Sequence, residues 1–322
     1  MKLLIAGAEA PTGLELQDLL RKQGLDFVLL PDKLLLTADK TGLDRLVNTS
    51  RPDQLINLHT FEPGSQLALQ HAESGRQECA SIQRDHAALL ANLSEHHEIP
   101  MLHLSSCYVF DGEKRLGYNE QDETHPVGVF GTTALQGELA VQKLAQHVIL
   151  RIGWPFGRRQ HDVIENWIRS CKQHKGNLQV LQRRFSPTPN EDVARVVLAI
   201  CRQLDCDANV WGTYHYCGLE TKKEIEFVQQ VLKYASQHDE QIYQFLDNFT
   251  MTEEPIDAPE ISNSTLSSKK IFDTFGIKQR SWHGSLQSTI KTIYQGGDRS
   301  GSDSQLNTPT KLSDSVGSRG LH

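Results

Sequence analysis

The stretch from Leu104 to Ala134 holds the residue types that bear most directly on chemistry. It opens with an apolar run that predicts a buried strand ending in Ser105 and Ser106. A hydroxyl at such a strand end can hydrogen-bond a reacting ligand, or it can simply cap the strand. The stretch closes with the predicted start of a helix, Val129-Phe130-Gly131-Thr132-Thr133-Ala134. The helix start at 129–134 contains no tyrosine, histidine, lysine or carboxylate. The reaction partners expected there for the Ser106 hydroxyl are therefore missing.

A second candidate site is the turn that follows the first predicted strand. It reads Gly7-Ala8-Glu9-Ala10-Pro11-Thr12-Gly13 and precedes leucines at helical spacing. A dinucleotide pyrophosphate rests on free helix N–H groups at such a turn, which makes Gly7, Ala8, Ala10 and Gly13 candidate cofactor-binding residues. The Ala10 methyl, the missing N–H of Pro11 and the charge of Glu9 all oppose phosphate binding. The alternative is therefore a structural turn in which cofactor binding is weakened or lost.

Asp32 follows the second predicted strand, where an acidic residue can bind the adenosine ribose hydroxyls. An exposed turn aspartate is the alternative reading. Lys33 beside it would instead favour a 2′-phosphate, so the sequence leaves the choice between NAD and NADP open.

The elements that must position these residues alternate along the chain. Apolar runs predict strands at 3–6, 27–30, 54–58, 101–104 and 148–152, and helical spacing predicts long helices at 77–97 and 132–147. Strands alternating with helices indicate an α/β fold with a doubly wound parallel sheet. After residue 157 the pattern is less regular and predicts a smaller lobe with helices at 163–173, 191–204 and 223–235. The domain division predicted is 1–157, with later segments returning to it, then 158–295, then a disordered tail at 296–322.

Composition limits the classes of function. The formal net charge of -7 and the lack of a lysine or arginine cluster argue against nucleic-acid binding. No segment has the length of a membrane span or a signal peptide, so we expect a cytoplasmic protein. The six cysteines form no paired motif. Neither they nor His96, His97 and His161 have metal-ligand spacing, and we predict no metal site.

Several motifs, in order over about residues 1–295, resemble those of the extended short-chain dehydrogenase/reductases, and within them the dTDP-4-dehydrorhamnose reductases. Besides the glycine turn, they are Arg51-Pro52-Asp53 leading to Ile56-Asn57, Ser105-Ser106-Cys107-Tyr108-Val109-Phe110-Asp111-Gly112, Leu150-Arg151-Ile152-Gly153-Trp154, Ser186-Pro187-Thr188 with Asp192-Val193-Ala194, Gly212-Thr213-Tyr214-His215, and Asn263-Ser264 with Phe275-Gly276. The resemblance implies a Rossmann-type sheet with a smaller C-terminal substrate-binding lobe.

The resemblance also implies a reaction, hydride transfer from NAD(P)H to a nucleotide-sugar ketone. In that family a serine or threonine binds the carbonyl oxygen, a tyrosine donates the proton, and a lysine four residues later lowers the pKa of the tyrosine. Ser106 matches the hydroxyl, but Phe130 stands at the tyrosine position and Ala134 at the lysine position. Losing a general acid alone costs about 10² to 10⁴ in rate. Trp154 either lines the sugar-nucleotide pocket or fills core between the lobes.

Three functions remain open from the sequence. The first is a reductase homologue that has lost catalysis and keeps NAD(P) or nucleotide-sugar binding for a regulatory role. The second is an active NADPH-dependent ketosugar reductase that uses another acid. The third is an interaction scaffold comparable to the methionine adenosyltransferase β-subunit, with a protein partner or a second copy in a homodimer. Titration with NAD, NADH, NADP and NADPH separates the first from the third.

Overall fold

The computed structural model describes residues 1–61, 68–206 and 208–300. Its first half builds a sheet with its covering helices. The elements in this half are β1 (Lys2–Ala6), α1 (Pro11–Lys22), β2 (Asp26–Leu29), α2 (Asp32–Leu36), α3 (Lys40–Ser50), β3 (Gln54–Asn57), α4 (Ala68–Ser74), α5 (Arg76–Ala80), a π-helical turn (Ser81–Asp85), α6 (His86–His97), β4 (Met101–Ser106), a 3₁₀ turn (Cys107–Val109), α7 (Val129–Val141) and β5 (His147–Ile152).

The second half has shorter strands. Its elements are β6 (Pro155–Phe156), α8 (Asp162–Gln173), β7 (Asn177–Leu181), β8 (Arg184–Phe185), β9 (Thr188–Pro189), α9 (Asn190–Leu204), β10 (Gly212–Tyr216), β11 (Lys222–Lys223), α10 (Glu224–Ala235), α11 (Glu240–Phe245), β12 (Thr250–Glu254), α12 (Lys269–Phe275) and α13 (His283–Ser300).

The central sheet has six strands in the order β10-β5-β4-β3-β1-β2. Every neighbouring pair is parallel, which confirms the predicted Rossmann-type doubly wound fold. The carboxyl ends of parallel strands meet at one edge of the sheet. At this edge Ala6 pairs with Asn57, and Ser106 pairs with Ile152. Ligands of such sheets bind outside the carboxyl ends of the strands.

Apolar side chains cover both faces of this sheet. One cluster packs α1, α9 and α12 on it and includes Leu16, Val197 and Phe275, while the opposite cluster packs α3, α6 and α7 and includes Leu43 and Leu90. The predicted strands lack polar alternation because they are buried on both faces.

A separate core lies in the second half of the chain. Trp154, Phe156, Trp167, Phe185 and Phe227 form its centre, and their rings pack at centroid distances of 4.8 to 6.1 Å. Since α9 and β10 return to the first half, the lobe is assembled from non-contiguous segments.

The largest differences from the predicted boundaries concern α7 and the C-terminal tail. The helix predicted at 132–147 is α7, Val129–Val141, which ends six residues before the predicted end. It starts three residues early, where the N–H of Val129 donates to Glu73 Oε1 at 2.6 Å. Helix α13 extends to Ser300, beyond the residue 296 at which the tail was predicted to begin. The rest of that predicted tail, 301–322, lies outside the described residues. No helix in the described ranges is long and apolar enough to cross a membrane.

Candidate functional site

A cavity of about 690 Å³ lies between the carboxyl edge of the sheet and the second core. The segments that follow β1 and β3 form one end of it, and the ends of β4 and β5 form its floor. Helix α8, β7 and the residues near 183, 224 and 260 form the other end, called the lobe half below. One part of the cavity therefore lies against the sheet and another against the lobe.

The predicted glycine turn packs closely against neighbouring backbone. Gly7 has a φ of +71°, and a Cβ there would lie 2.5 Å from the backbone nitrogen of His59. A Cβ on Gly13 would lie 2.6 Å from the carbonyl oxygen of Ala8. Both glycines therefore allow a close backbone approach that side chains would prevent.

Part of the turn lines the cavity, whereas Gly7, Ala8 and Gly13 are not among its lining residues. Ala10 is the extended N-cap of α1, Pro11 is its first residue, and both line the cavity with Thr12. Ala8 is buried and accepts a hydrogen bond from the Gln17 side chain at 2.8 Å. The first-turn N–H groups of a helix have no intrahelical acceptor, which is the chemical basis of the predicted pyrophosphate site at α1. That this site binds a dinucleotide stays a prediction.

Asp32 begins α2, and its carboxylate contacts His59 Nε2 at 3.1 Å. The Asp32 side chain is half exposed, whereas His59 lines the cavity. The structure therefore places Asp32 outside the cavity lining, in contact with the lining residue His59.

Three histidines near this end are held neutral. Burial lowers the pKa of His86 and of His103 to about 4, and it lowers that of His59 despite the neighbouring Asp32. His86 is 3 % exposed, has neither ring nitrogen hydrogen-bonded, and packs edge-on against His59 at 5.2 Å. Neutral imidazoles supply no positive charge to a bound phosphate.

Ser106 lies at the cavity floor, as predicted for a strand-end hydroxyl. Its Oγ accepts the backbone N–H of Tyr108 at 3.3 Å and so caps the 3₁₀ turn. The hydroxyl also lines the cavity, which means that the capping role and the ligand-facing role coexist in one side chain.

Phe130 and Ala134 lie one turn apart on α7, and both line the cavity. They are 8 % and 5 % exposed, and the Phe130 ring packs edge-on against Tyr108 at 5.8 Å. A Cβ on Gly131 would lie 2.0 Å from the Tyr108 carbonyl oxygen, so α7 is seated directly on the 3₁₀ turn. Apolar groups therefore form the cavity wall where the motif would supply a phenol and an ammonium.

Gln83 was not singled out from the sequence. It lies in the π-helical turn, lines the cavity, and donates to the Phe130 carbonyl at 2.8 Å and to Thr133 Oγ1 at 2.9 Å. Its neighbour Arg84 is exposed and pairs with Asp85. The π-turn changes which side chain faces inward, and helical periodicity gives no signal for it.

Trp154 belongs both to the cavity lining and to the second core, and its contact with a sugar-nucleotide stays a prediction. It lines the cavity, and it packs against Phe185 at 4.8 Å in the second core. One face of the lobe core is thus also a wall of the ligand space.

A charged group in the lobe half was also missed. Arg183 pairs with Glu224 through Nε and with Glu260 through a 2.9 Å contact, and Glu224 also accepts the N–H of Leu181. The Tyr108 hydroxyl lies 3.5 Å from Glu260. Burial, together with the charge of Glu260, raises the pKa of Tyr108 well above its usual value.

Two histidine-containing groups lie away from the cavity among the described residues. Asp44, His96 and His97 form one, and His161, Asp162 and Glu165 form the other, each with possible ligand atoms within 4.8 Å of one another. His97 Nε2 lies within hydrogen-bond distance of Asp44 Oδ1, at 3.0 Å. That no metal binds at either group stays a prediction.

A family model described as the RmlD substrate binding domain matches residues 1–295. A dTDP-4-dehydrorhamnose reductase of Sinorhizobium fredii is 28% identical over 272 residues, covering 81% of this chain and 90% of that protein. One from Aggregatibacter actinomycetemcomitans is 27% identical over 290 residues, covering 89% and 97%.

Solved structures agree with these relatives in fold. A dTDP-4-dehydrorhamnose reductase from Clostridium acetobutylicum superposes with a TM-score of 0.76 at 23% identity, covering 91% of this chain and 99% of that one. The enzyme from Bacillus anthracis in complex with NADP gives 0.72 at 22%, covering 90% and 97%. The chain therefore belongs to the RmlD substrate-binding-domain family, a group of nucleotide-sugar reductases of the dTDP-4-dehydrorhamnose reductase type.

Proposed function

We propose that this chain is a ligand-binding member of the reductase family that has lost the family's hydride-transfer activity. The observation that carries the proposal is the pair Phe130 and Ala134 in the cavity wall. A phenyl ring has no transferable proton, and a methyl group cannot lower the pKa of a neighbour. Ser106 remains as the remnant of the catalytic group.

Neither the phenol nor the imidazoles among the described lining residues replace the missing acid well. The Tyr108 hydroxyl is the one phenol there, and its raised pKa makes it a weak proton donor. His59 and His103 are neutral at the pH of ordinary assays because burial lowers the pKa of each. This inventory supports loss of catalysis over the alternative of an active reductase with a substitute acid.

The proposal retains a dinucleotide at the sheet edge. Gly7, Ala8, Ala10 and Gly13 would hold its pyrophosphate, and Asp32 its adenosine ribose. When bound, NADPH or NADH would supply a hydride. Reduction of a ketone also requires a proton, and Phe130 cannot donate one. The dinucleotide would be bound by residues 1–157 together with α9 and β10. A sugar-type ligand would be bound by most of residues 158–295. A regulatory role would follow if ligand binding changes how the chain contacts a protein partner or a second copy.

Calorimetric titration with NAD, NADH, NADP and NADPH is the first test. We expect at least one of them to bind with a Kd in the micromolar range, about -8 kcal/mol or weaker. If none binds, the chain is an interaction module without a working cofactor site, and the proposal fails.

The second test is turnover. We expect NADPH absorbance in the presence of dTDP-4-dehydrorhamnose to fall at least about 10²-fold more slowly than with the Aggregatibacter actinomycetemcomitans relative as positive control. A rate equal to that of the control would establish an active reductase instead.

A further inference from the structure

A histidine side chain crosses the space beside the glycine turn. His59 follows β3, and its Nε2 lies 3.1 Å from the carboxylate of Asp32, the first residue of α2. In the central sheet β1 lies between β3 and β2. The contact between His59 and Asp32 therefore spans the carboxyl end of β1, at which the glycine turn begins.

A dinucleotide bound to such a sheet has to occupy the same span. Its pyrophosphate lies at the glycine turn, and its adenosine ribose lies at the acidic residue after the second strand. The backbone of His59 lies against Gly7, because a Cβ on that glycine would be 2.5 Å from the His59 nitrogen. The His59 ring lies against Asp32. The side chain thus extends through the space in which the ribose would be bound.

Neighbouring groups hold His59 in this position. Its backbone N–H donates to Asn57 Oδ1 at 3.0 Å. Its ring packs edge-on against the buried ring of His86 at a centroid distance of 5.2 Å. The side chain of His59 is 12 % exposed, whereas that of Asp32 is 47 % exposed. The imidazole is therefore a packed group rather than a freely rotating surface side chain.

The boundary of the cavity agrees with this arrangement. His59, Ala10 and Thr12 are among its described lining residues, whereas Gly7 and Asp32 are not. On the side of the second strand the cavity thus ends at His59, and the carboxylate of Asp32 lies beyond the ring.

The contact also occupies an acceptor that a ribose needs. The two hydroxyls of a ribose diol donate hydrogen bonds, and a carboxylate only accepts them. Oδ1 of Asp32 already accepts from His59 Nε2. Because burial lowers the pKa of His59, this donor is a neutral imidazole, and its hydrogen bond is weaker than that of a charged donor. A ribose can therefore displace the ring, with a loss of affinity.

We propose that His59 is a gate of the dinucleotide site, which competes with the adenosine ribose for Asp32 and weakens the binding of dinucleotides that carry a free ribose diol. This inference rests on the proposed function, because it concerns the same dinucleotide site. It makes His59 a residue that sets the affinity of the site, in addition to the turn residues and Asp32.

The test is a gain of binding, which a misfolded variant would not show. Calorimetry measures the NADH affinity of wild type, His59→Ala, Asp32→Ala and the double variant. We expect His59→Ala to bind NADH about tenfold more tightly than wild type, because the ribose no longer has to displace a hydrogen bond. In the Asp32→Ala background the same substitution should give no gain, because the carboxylate for which His59 competes is absent.

His97→Ala is the matched control. His97 Nε2 lies 3.0 Å from Asp44 Oδ1, and the side chains of this pair are 13 % and 43 % exposed, close to the values for His59 and Asp32. Neither His97 nor Asp44 lines the cavity, so His97→Ala should bind NADH as wild type does. An equal gain in His97→Ala and His59→Ala would overturn the inference.

The outcomes separate this inference from the proposed function. If wild type binds a dinucleotide and His59→Ala binds NADH no more tightly than wild type, the gate is refuted and the proposed function stands. A gain that persists in the Asp32→Ala background would contradict competition for that carboxylate. If His59→Ala binds NADH and wild type binds none of the four dinucleotides, the gate is supported and the proposed function fails. If neither protein binds any of them, both fail.

Discussion

At Phe130 a single atom separates the observed side chain from a proton donor. The ring lines the cavity and is fixed by its edge-on contact with Tyr108 at 5.8 Å. Ala134, one turn later, presents a methyl to the same space. Loss of catalysis in this proposal is therefore a matter of two side chains on an otherwise intact helix.

Restoring both groups should create activity. We expect Phe130→Tyr with Ala134→Lys to raise NADPH-dependent ketosugar reduction at least about 10²-fold over wild type, because a general acid and its activating cation return together. Phe130→Tyr alone should give less. The assay follows NADPH absorbance with a 4-ketosugar, free and dTDP-linked. No gain in the double variant, despite retained NADPH binding, would place the catalytic defect elsewhere.

Asp32 and Lys33 would favour different dinucleotides, Asp32 an unphosphorylated ribose and Lys33 a 2′-phosphate. If Asp32 holds a ribose hydroxyl, Asp32→Ala should weaken NADH binding about tenfold and leave NADPH binding unchanged or stronger, since a carboxylate repels a 2′-phosphate. Lys33→Ala is the matched neighbour and should change NADH binding little. Calorimetry with both reduced dinucleotides measures this, and a selective loss of NADPH binding in Lys33→Ala would assign the choice to Lys33.

Local sequence predicted the glycine turn because Gly7 and Gly13 act through their own backbone. It did not predict the Arg183 group, because Arg183 is 41 residues from Glu224 and 77 from Glu260. Charged residues in an irregular lobe are mostly solvated, and only the folded lobe brings these three together. Ion pairs between residues far apart in the chain thus cannot be predicted from a single sequence.

Among the elements, the strands of the sheet were predicted well and the two-residue strands of the lobe were not. Strands such as β4 are continuous apolar runs, whereas β6, β8, β9 and β11 have two residues each and no periodicity. Helix α7 was placed too late since its first turn depends on Glu73, on a distant helix. Element ends that rely on tertiary contacts carry no local signal.

The seat of α7 gives a testable consequence. A Cβ on Gly137 would lie 2.3 Å from the Gln83 carbonyl oxygen in the π-helical turn. We expect Gly137→Ala to lower the free energy of unfolding by about 1–3 kcal/mol, because backbone must move to admit the methyl. Urea denaturation measures the change.

Gly284, in α13, is the matched control. A Cβ there would meet nothing within 4 Å, so Gly284→Ala should leave stability unchanged or raise it by up to about 1 kcal/mol through helix propensity. Equal effects of the two substitutions would contradict the close contact between α7 and the π-helical turn.

In the whole molecule, the cavity lies between two cores that differ in how well the sequence predicts them. The sheet core follows from periodic apolar runs, and the lobe core depends on five aromatic rings spread from Trp154 to Phe227. The fold class could be predicted since alternation of strands and helices is a global pattern. The charged lining of the cavity could not, because it depends on which lobe side chains turn inward.

Buried histidines should make the whole fold sensitive to acid. Burial lowers the pKa of His86 and of His103 to about 4 and that of His215 to about 3, each from 6.5. As the pH falls below 6.5 the unfolded chain takes up these protons and the folded chain does not. Stability contributed by the neutral histidines is therefore complete above pH 6.5 and declines as the pH falls towards 4.

The magnitude follows from proton linkage. Each such histidine contributes a slope of up to about 1.4 kcal/mol per pH unit in this window, so the three together give up to about 4 kcal/mol per pH unit. Urea unfolding at several pH values between 7 and 4.5 measures the slope. His103→Gln should reduce the slope by up to about 1.4 kcal/mol per pH unit, the contribution of one proton. His125→Gln, at an exposed position, should leave the slope unchanged. An identical slope in wild type and His103→Gln would mean that His103 accepts its proton in the folded state as easily as in the unfolded chain.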